Sequence, residues 1–300
     1  GMELKKEYSY IEVSPGQGVY TWKDYNNDGI KQLNEFEIAQ FADQAIYIRV
    51  FTPTNTYVKV NRDQFSYSMY LRPSVFKREN SGKATNFIAR FATQTVYRVD
   101  KKTMAQQNVL HFNPFDVNPT DTLLTSMTYN FRQALFFNQS AQVFGFDYTF
   151  QDNRNKQLLT NGYESKELQT HELRIRWNLS KSWGVFINSV TGNKINTSQY
   201  FFQRNYNIAY YETESKISFQ PSTSFRLSAI YKRTQKENIA SGGFQKANID
   251  DFGTEIRYNQ LTKGSLSARA NYILIDYNDS ENSPVAFEML NALKTGNNIT

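Results

Sequence analysis

Asp24, Asn26, Asp28 and Glu35 bring oxygen donors to positions one, three, five and twelve of the segment DYNNDGIKQLNE. That spacing is the template of an EF-hand calcium loop. Gly29 holds the sixth place, where the chain must turn sharply with positive φ. Ile30 offers its backbone carbonyl at position seven, and its side chain is expected to anchor the loop. Gln32 sits at position nine, which often acts through a water, and Glu35 could bind bidentately. Alternate donors point inward because such a loop winds round its ion, and hard oxygens suit Ca²⁺. The metal ligands expected from sequence are therefore Asp24, Asn26, Asp28, Ile30, Gln32 and Glu35. The plainer reading is an Asn/Asp/Gly turn that binds nothing.

Little else in the chain points to chemistry. There is no cysteine, so disulfides, thiolate zinc sites and thiol nucleophiles are excluded. His111 and His171 are the only histidines, too few and too scattered for a ligand set. No nucleophile elbow, P-loop, dinucleotide fingerprint or HExxH occurs. The carboxylate pairs Asp250–Asp251 and Asp276/Asp279 read as solvated loop acids, since a glycosidase needs two carboxylates converging in a cleft. The expectation is a protein without catalytic or organic-cofactor residues, and not an enzyme. The chain has 34 Lys+Arg against 28 Asp+Glu, spread without a basic block, so nucleic acid is not an expected partner.

The elements around the loop read as strands. In HELRIRWNLS, Leu173, Ile175, Trp177 and Leu179 share one face, while Glu172, Arg174, Arg176 and Asn178 share the other. QVFGFDYTFQ, SFRLSAIYKR and DFGTEIRYN alternate the same way. Further strands are expected at 7–13, 45–51, 64–72, 87–98, 124–137, 183–190, 204–212, 214–220 and 266–277. Tight turns fall at 138–142, 178–183, 220–224 and 259–265. Long polar connections are expected at 151–170, 191–203 and 233–250. NEFEIAQFADQA, 34–45, reads as a short helix trailing the loop, and VAFEMLNALKTG, 285–296, as a short helix or lid-like loop. The 20 Tyr and 23 Phe suit pleated, half-buried surfaces.

The expected fold is all-β: an antiparallel meander of about 10–14 strands, barrel-like or a large open sheet, with one or two short helices. Residues 1–60 would hold a strand, the calcium loop and a short helix. Residues 61–300 would hold the meander, the two forming one unit. Short turns at one end and long loops at the other are the layout of a bacterial outer-membrane barrel. A soluble antiparallel sheet with its apolar face in a core alternates equally well. No run of about 18 apolar residues marks a transmembrane helix. Gly1-Met2 looks like a cleavage scar, so the chain is expected to be a piece of something longer, with first and last strands that leave open edges.

EVSPGQGVYTWKDYNNDGIKQLNEFEIAQFADQAIYIRVFTPTNTYVK, with NRNKQLLTNGYES, RNYNIAYYE and AFEMLNAL, resembles large, uncharacterised cell-envelope proteins of Bacteroidetes, over nearly the whole chain. The loop itself, with one trailing helix and no entering one, resembles the calcium loops of dockerins and other extracellular β-proteins. The first resemblance implies an envelope location and supplies no activity. The reading is a non-enzymatic outer-membrane or cell-surface protein in transport or envelope assembly. Its expected partner is outer-membrane lipid, with an envelope protein or a glycan possible, and Ca²⁺ is a structural staple. The alternative is a soluble calcium-stapled surface domain that binds glycan or protein.

Overall fold

In a computed structural model of the chain, the described residues are 1–25, 28–39, 41–76, 78, 82–105, 113, 115–116, 124–159, 162–199, 204–260, 263–280 and 285–290. They form thirteen strands. A small N-terminal group comprises β1 (Met2–Glu12), β2 (Tyr20–Trp22) and β3 (Phe36–Ile38). β4 (Tyr47–Leu71) follows, then the helix α1 (Lys83–Ile88) and β5 (Phe91–Met104). Next come β6 (Leu124–Phe137), β7 (Phe144–Leu159), β8 (Gly162–Asn178) and β9 (Trp183–Ser198). β10 (Tyr206–Phe219), β11 (Phe225–Asn238), β12 (Lys246–Gln260) and β13 (Gly264–Tyr277) complete the meander, and the helix α2 (Ala286–Met289) follows.

From β4 to β13 every strand pairs antiparallel with the next. Two of the tight turns use left-handed backbone: Asn138 has φ 53° and Gly264 has φ 132°. The expected long connections are a correction. β7 and β8 run through 151–170, β9 extends to Ser198, and β11 and β12 leave only 239–245 between them. Here Asp152 and Arg154 alternate with Asn153 and Asn155, so both faces are polar and no hydropathy period betrays the strand. The two segments 204–212 and 214–220 are likewise one strand, β10.

The helix expected at 34–45 is also corrected. A 3-10 turn at Leu33–Glu35 passes into β3, whose Phe36, Glu37 and Ile38 pair with Trp22, Thr21 and Tyr20. A second 3-10 turn covers Ala42–Gln44. Phe36 and Ile38 stand two apart, the strand period, and the ladder with β2 decides against helix. At the other end, α2 confirms a short helix, while 291–296 lies outside the described residues.

β4 has 25 residues and joins two regions. Its first half pairs with β1, from Glu12↔Tyr47 to Met2↔Lys59. Its second half pairs with β5, from Val60↔Met104 to Leu71↔Thr93. The change-over is at residues 59 and 60. The Lys59 carbonyl accepts from the Ala105 N–H on the β5 side, whereas the Val60 N–H donates to the Gly1 carbonyl. Successive residues of a strand turn their polar groups to opposite edges, so β1 and β5 lie on opposite edges of β4. Among the described residues, the edge of 61–71 away from β5 therefore has no strand beside it, nor does the outer edge of β13.

The sheet is strongly curled. β4 and β8 are four places apart in strand order, so a flat sheet would set them about 19 Å apart. They instead bring Cα atoms within 8 Å of one another. Among the described residues no ladder joins β13 to β4, so the curled sheet is not a closed barrel.

Candidate functional site

The carboxylate loop lies between β2 and β3. Trp22 and Phe36 are opposed in that ladder, so the chain leaving Trp22 returns to its partner through residues 23–35. The Lys23 N–H closes the neck on the Glu35 carbonyl at 2.9 Å. Gly29 turns the loop with φ 71°, as the spacing requires, and its N–H donates to Asp24 Oδ2 at 2.8 Å. Candidate donor oxygens of Asp24, Asp28 and Glu35 lie within 4.8 Å of one another. Three carboxylates that close repel unless a cation or hydrogen bonds offset them.

Hydrogen bonds offset part of this. Glu35 is 1 % exposed, and its Oε2 accepts from Trp22 Nε1 at 3.0 Å and from the Gln32 N–H at 3.2 Å. Asp28 accepts from the Ile30 N–H at 2.7 Å and from Gln32 Nε2 at 2.8 Å. Asp24 Oδ1 is shielded from solvent and, among the described residues, has no hydrogen-bond partner. A shielded carboxylate oxygen without a donor is costly to leave so. It is the feature of this loop that fits a cation.

The structure thus brings together Asp24, Asp28 and Glu35 and sets Gln32 against Asp28. Asn26 lies outside the described residues. The anchoring role expected of Ile30 is a correction: its side chain is 63 % exposed. Sequence reasoning missed Trp22, which fixes Glu35 from the preceding strand. An indole two residues before Asp24 was the available signal. His171 pairs with Tyr148, Nδ1 to Oη 2.7 Å, on the sheet face; His111 lies outside the described residues.

The second candidate feature is a face of the sheet. Directly opposed residues share a face, so the ladders sort the side chains. One face carries Phe144, Phe146, Tyr148 and Phe150 on β7, and Trp177, Ile175 and Leu173 opposite them on β8. It continues through Val185 and Ile187 on β9, Ile217 on β10 and Leu227 and Tyr231 on β11. Phe252, Ile256 and Tyr258 on β12 and Leu266 and Tyr272 on β13 complete it. Trp177 and Trp183 are 48 % and 46 % exposed, and Ile217, Ile256 and Leu266 are exposed too.

This apolar band runs obliquely to the rungs. On β4 it occupies Phe65, Tyr67, Met69 and Leu71. Followed rung by rung, Leu71 leads through Leu135, Leu173 and Arg233 to Asp250 on β12. On β12 the apolar stretch begins only beyond Asp250, at Phe252, and runs to Tyr258. The band therefore climbs four rungs across eight strand spacings. At about 6.8 Å per rung and about 4.8 Å per spacing, its slope is roughly 35°. At its β4–β6 end the last rung, Phe65, Val99 and Tyr129, is roofed by Phe115, whose ring lies 6.1 Å from Phe65 and 5.5 Å from Tyr97. Past the band the same face turns ionic, as where Arg154 meets Asp152 at 2.9 Å.

The opposite face carries ion pairs beneath the band itself. Arg174 meets Glu172 at 2.7 Å, Lys216 meets Glu255 at 3.2 Å and Lys232 meets Glu212 at 2.9 Å. Between them lie small buried residues, Ala134, Thr149 and Ser228. α2 packs on this face too: Val285, Met289 and Leu290 join Tyr206, Ile208 and Ala247 in a buried cluster. Among the described residues no helix is long and apolar enough to cross a membrane, which has no bearing on crossing by strands. Comparison of the chain with protein-family models, curated proteins and solved structures gave no match.

Proposed function

We propose that this chain is a stretch of a bacterial outer-membrane β-barrel, a non-enzymatic envelope protein of transport or assembly, with a structural Ca²⁺ in the 24–35 loop. The observation that carries the reading is the oblique apolar band. Strands of membrane barrels tilt by about 35–45°, with an apolar belt level with the bilayer and aromatic residues at its margins. A belt that is level in the membrane must cross tilted strands obliquely, and the slope of about 35° matches. A sheet packed on a soluble core has no reason to drift this way. Nor would it leave Trp177, Trp183, Ile217 and Ile256 open to solvent while ion pairs fill the other face. The envelope location implied by the resemblance to Bacteroidetes proteins agrees with this.

Asp24, Asp28 and Glu35 would hold the ion, with the Ile30 carbonyl and Gln32 at their loop positions. Ca²⁺ would neutralise the converging carboxylates and give Asp24 Oδ1 a partner. A lone loop has no second loop to move against, so the role is to pin the β2–β3 neck, not to sense calcium.

The test is depth-dependent quenching in vesicles made with brominated acyl chains. Trp177 and Trp183 should be quenched, and Trp22, beside the carboxylate loop, should not. A chain that is monodisperse in buffer without detergent, with all three indoles indifferent to the lipid, would overturn the proposal in favour of a soluble surface domain.

A further inference from the structure

A recess of about 1070 Å³ opens at the short-turn end of β6–β11. Four cations line it, Arg176, Lys181, Lys216 and Arg226, and among the described residues no carboxylate does. Its construction follows from the ladders. Arg176 on β8, Phe186 on β9 and Lys216 on β10 stand on one rung and one face, so the ring lies between the two cations. The cations are therefore about 10 Å apart at their backbones. On the next rung is Gly184, opposite Asn178 and Ser218. A Cβ there would come within 3.1 Å of Asn178 Oδ1, so glycine keeps the floor open.

The arginines are held in place by neutral partners. Arg176 Nη2 donates to the Gln139 carbonyl at 3.2 Å. Arg226 donates through Nε and Nη2 to Gln220 Oε1, at 2.8 and 2.6 Å. Among the described residues only Lys216 of the four meets an acid, Glu255 at 3.2 Å, which stands outside the lining. Cations gathered without acids repel one another unless an anion joins them.

We propose that this recess binds a phosphate group, with the body of the ligand resting on Phe186. Two guanidinium forks suit the geometry of phosphate oxygens. Four cations against one nearby acid leave more charge than a single carboxylate would neutralise. Trp183 lines the recess and belongs to the apolar band, so a lipid headgroup could reach it as readily as a soluble phosphate. The proposal rests on the recess and does not need the sheet to lie in a membrane.

The experiment is calorimetric titration of the purified chain with glycerol 3-phosphate, and separately with phosphatidylcholine nanodiscs with or without phosphatidylglycerol. Saturable binding of glycerol 3-phosphate identifies a soluble ligand. Binding only to the phosphatidylglycerol discs identifies a headgroup. In either case the double variant R176Q/R226Q should weaken binding at least about tenfold. K181Q, on an exposed turn where folding is not at stake, should weaken it several-fold. K246Q, at the opposite end of the sheet and paired with Glu237, should leave it unchanged. No saturable binding of either probe would overturn the proposal. So would K181Q binding like the unaltered chain, or K246Q losing as much as K181Q.

Discussion

Leu135 on β6 and Arg233 on β11 stand on the same rung and the same face. If the band is level in a bilayer, Leu135 lies within the hydrocarbon and Arg233 lies beyond it, because the strands tilt between them. An arginine placed at the midplane of a membrane barrel costs about 2–4 kcal/mol, falling to about 0–1 near the interface. Leu135→Arg should therefore lose about 2–4 kcal/mol. Gln235→Arg, on the same face one rung past Arg233, should stay within about 0.5 kcal/mol. In water the contrast vanishes: Leu135 is already 36 % exposed, and an arginine there keeps its stem on the sheet and its head in solvent. Urea unfolding of vesicle-reconstituted protein, followed by tryptophan emission, measures both variants. Ile256→Arg, inside the band on β12, should match Leu135→Arg although it stands three rungs away from the rung of Leu135. Equal stabilities of Leu135→Arg and Gln235→Arg would refute both the band and its slope.

Asp24→Asn and Glu35→Gln should each abolish the difference in melting temperature between calcium and chelator. In the unaltered chain that difference should correspond to about 2.7 kcal/mol when calcium exceeds its dissociation constant a hundredfold. Calorimetry that detects no calcium uptake at millimolar concentration would remove the ion. Glu12 has its pKa held below the ordinary carboxylate value, first by the hydrogen bond from Lys31 and then by that from Tyr47. Its contribution is therefore present above the unfolded-state pKa of about 4.3 and lost as pH falls through the lower folded value. Lys31 lies 5.8 Å from the Trp22 ring, so Trp22 emission in a Trp177→Phe/Trp183→Phe background should change below about pH 4.3, and Glu12→Gln should remove that step. Gly192→Ala should cost about 1–3 kcal/mol in denaturant midpoint, because its Cβ would overlap the Gln169 carbonyl across the β8–β9 ladder.

What the sequence disclosed follows from where its two faces differ. β6 was legible to the residue, and β7, β8, β11 and β12 were legible where Phe, Trp and Ile alternate with Arg and Glu. Past the band both faces are polar, so Asn153 and Arg154 carry no contrast and the strand reads as a loop. In β4, Pro53 hides the middle of the strand, which was read only at 45–51 and 64–72. Proline is tolerated here at an irregularity: the register shifts between Leu4↔Tyr57 and Lys6↔Pro53. The carboxylate loop was visible because its donors are fixed by spacing within one segment. The neck that holds it was not, because Trp22 reaches Glu35 only after β2 and β3 pair. The slope of the band needed registers across eight ladders, which no single strand encodes.

The free edges of β4 and β13 bound ten consecutive strands, an even number. They therefore run antiparallel to one another, and the sheet could close on itself without reversing either. One added strand would spoil that match, whereas an added hairpin would keep it. An ancestor of this sheet could gain or lose circumference only two strands at a time. Each such step would carry its own segment of the apolar band, shifted by about one rung to follow the tilt. The unit of inheritance in such a sheet would be the hairpin with its offset.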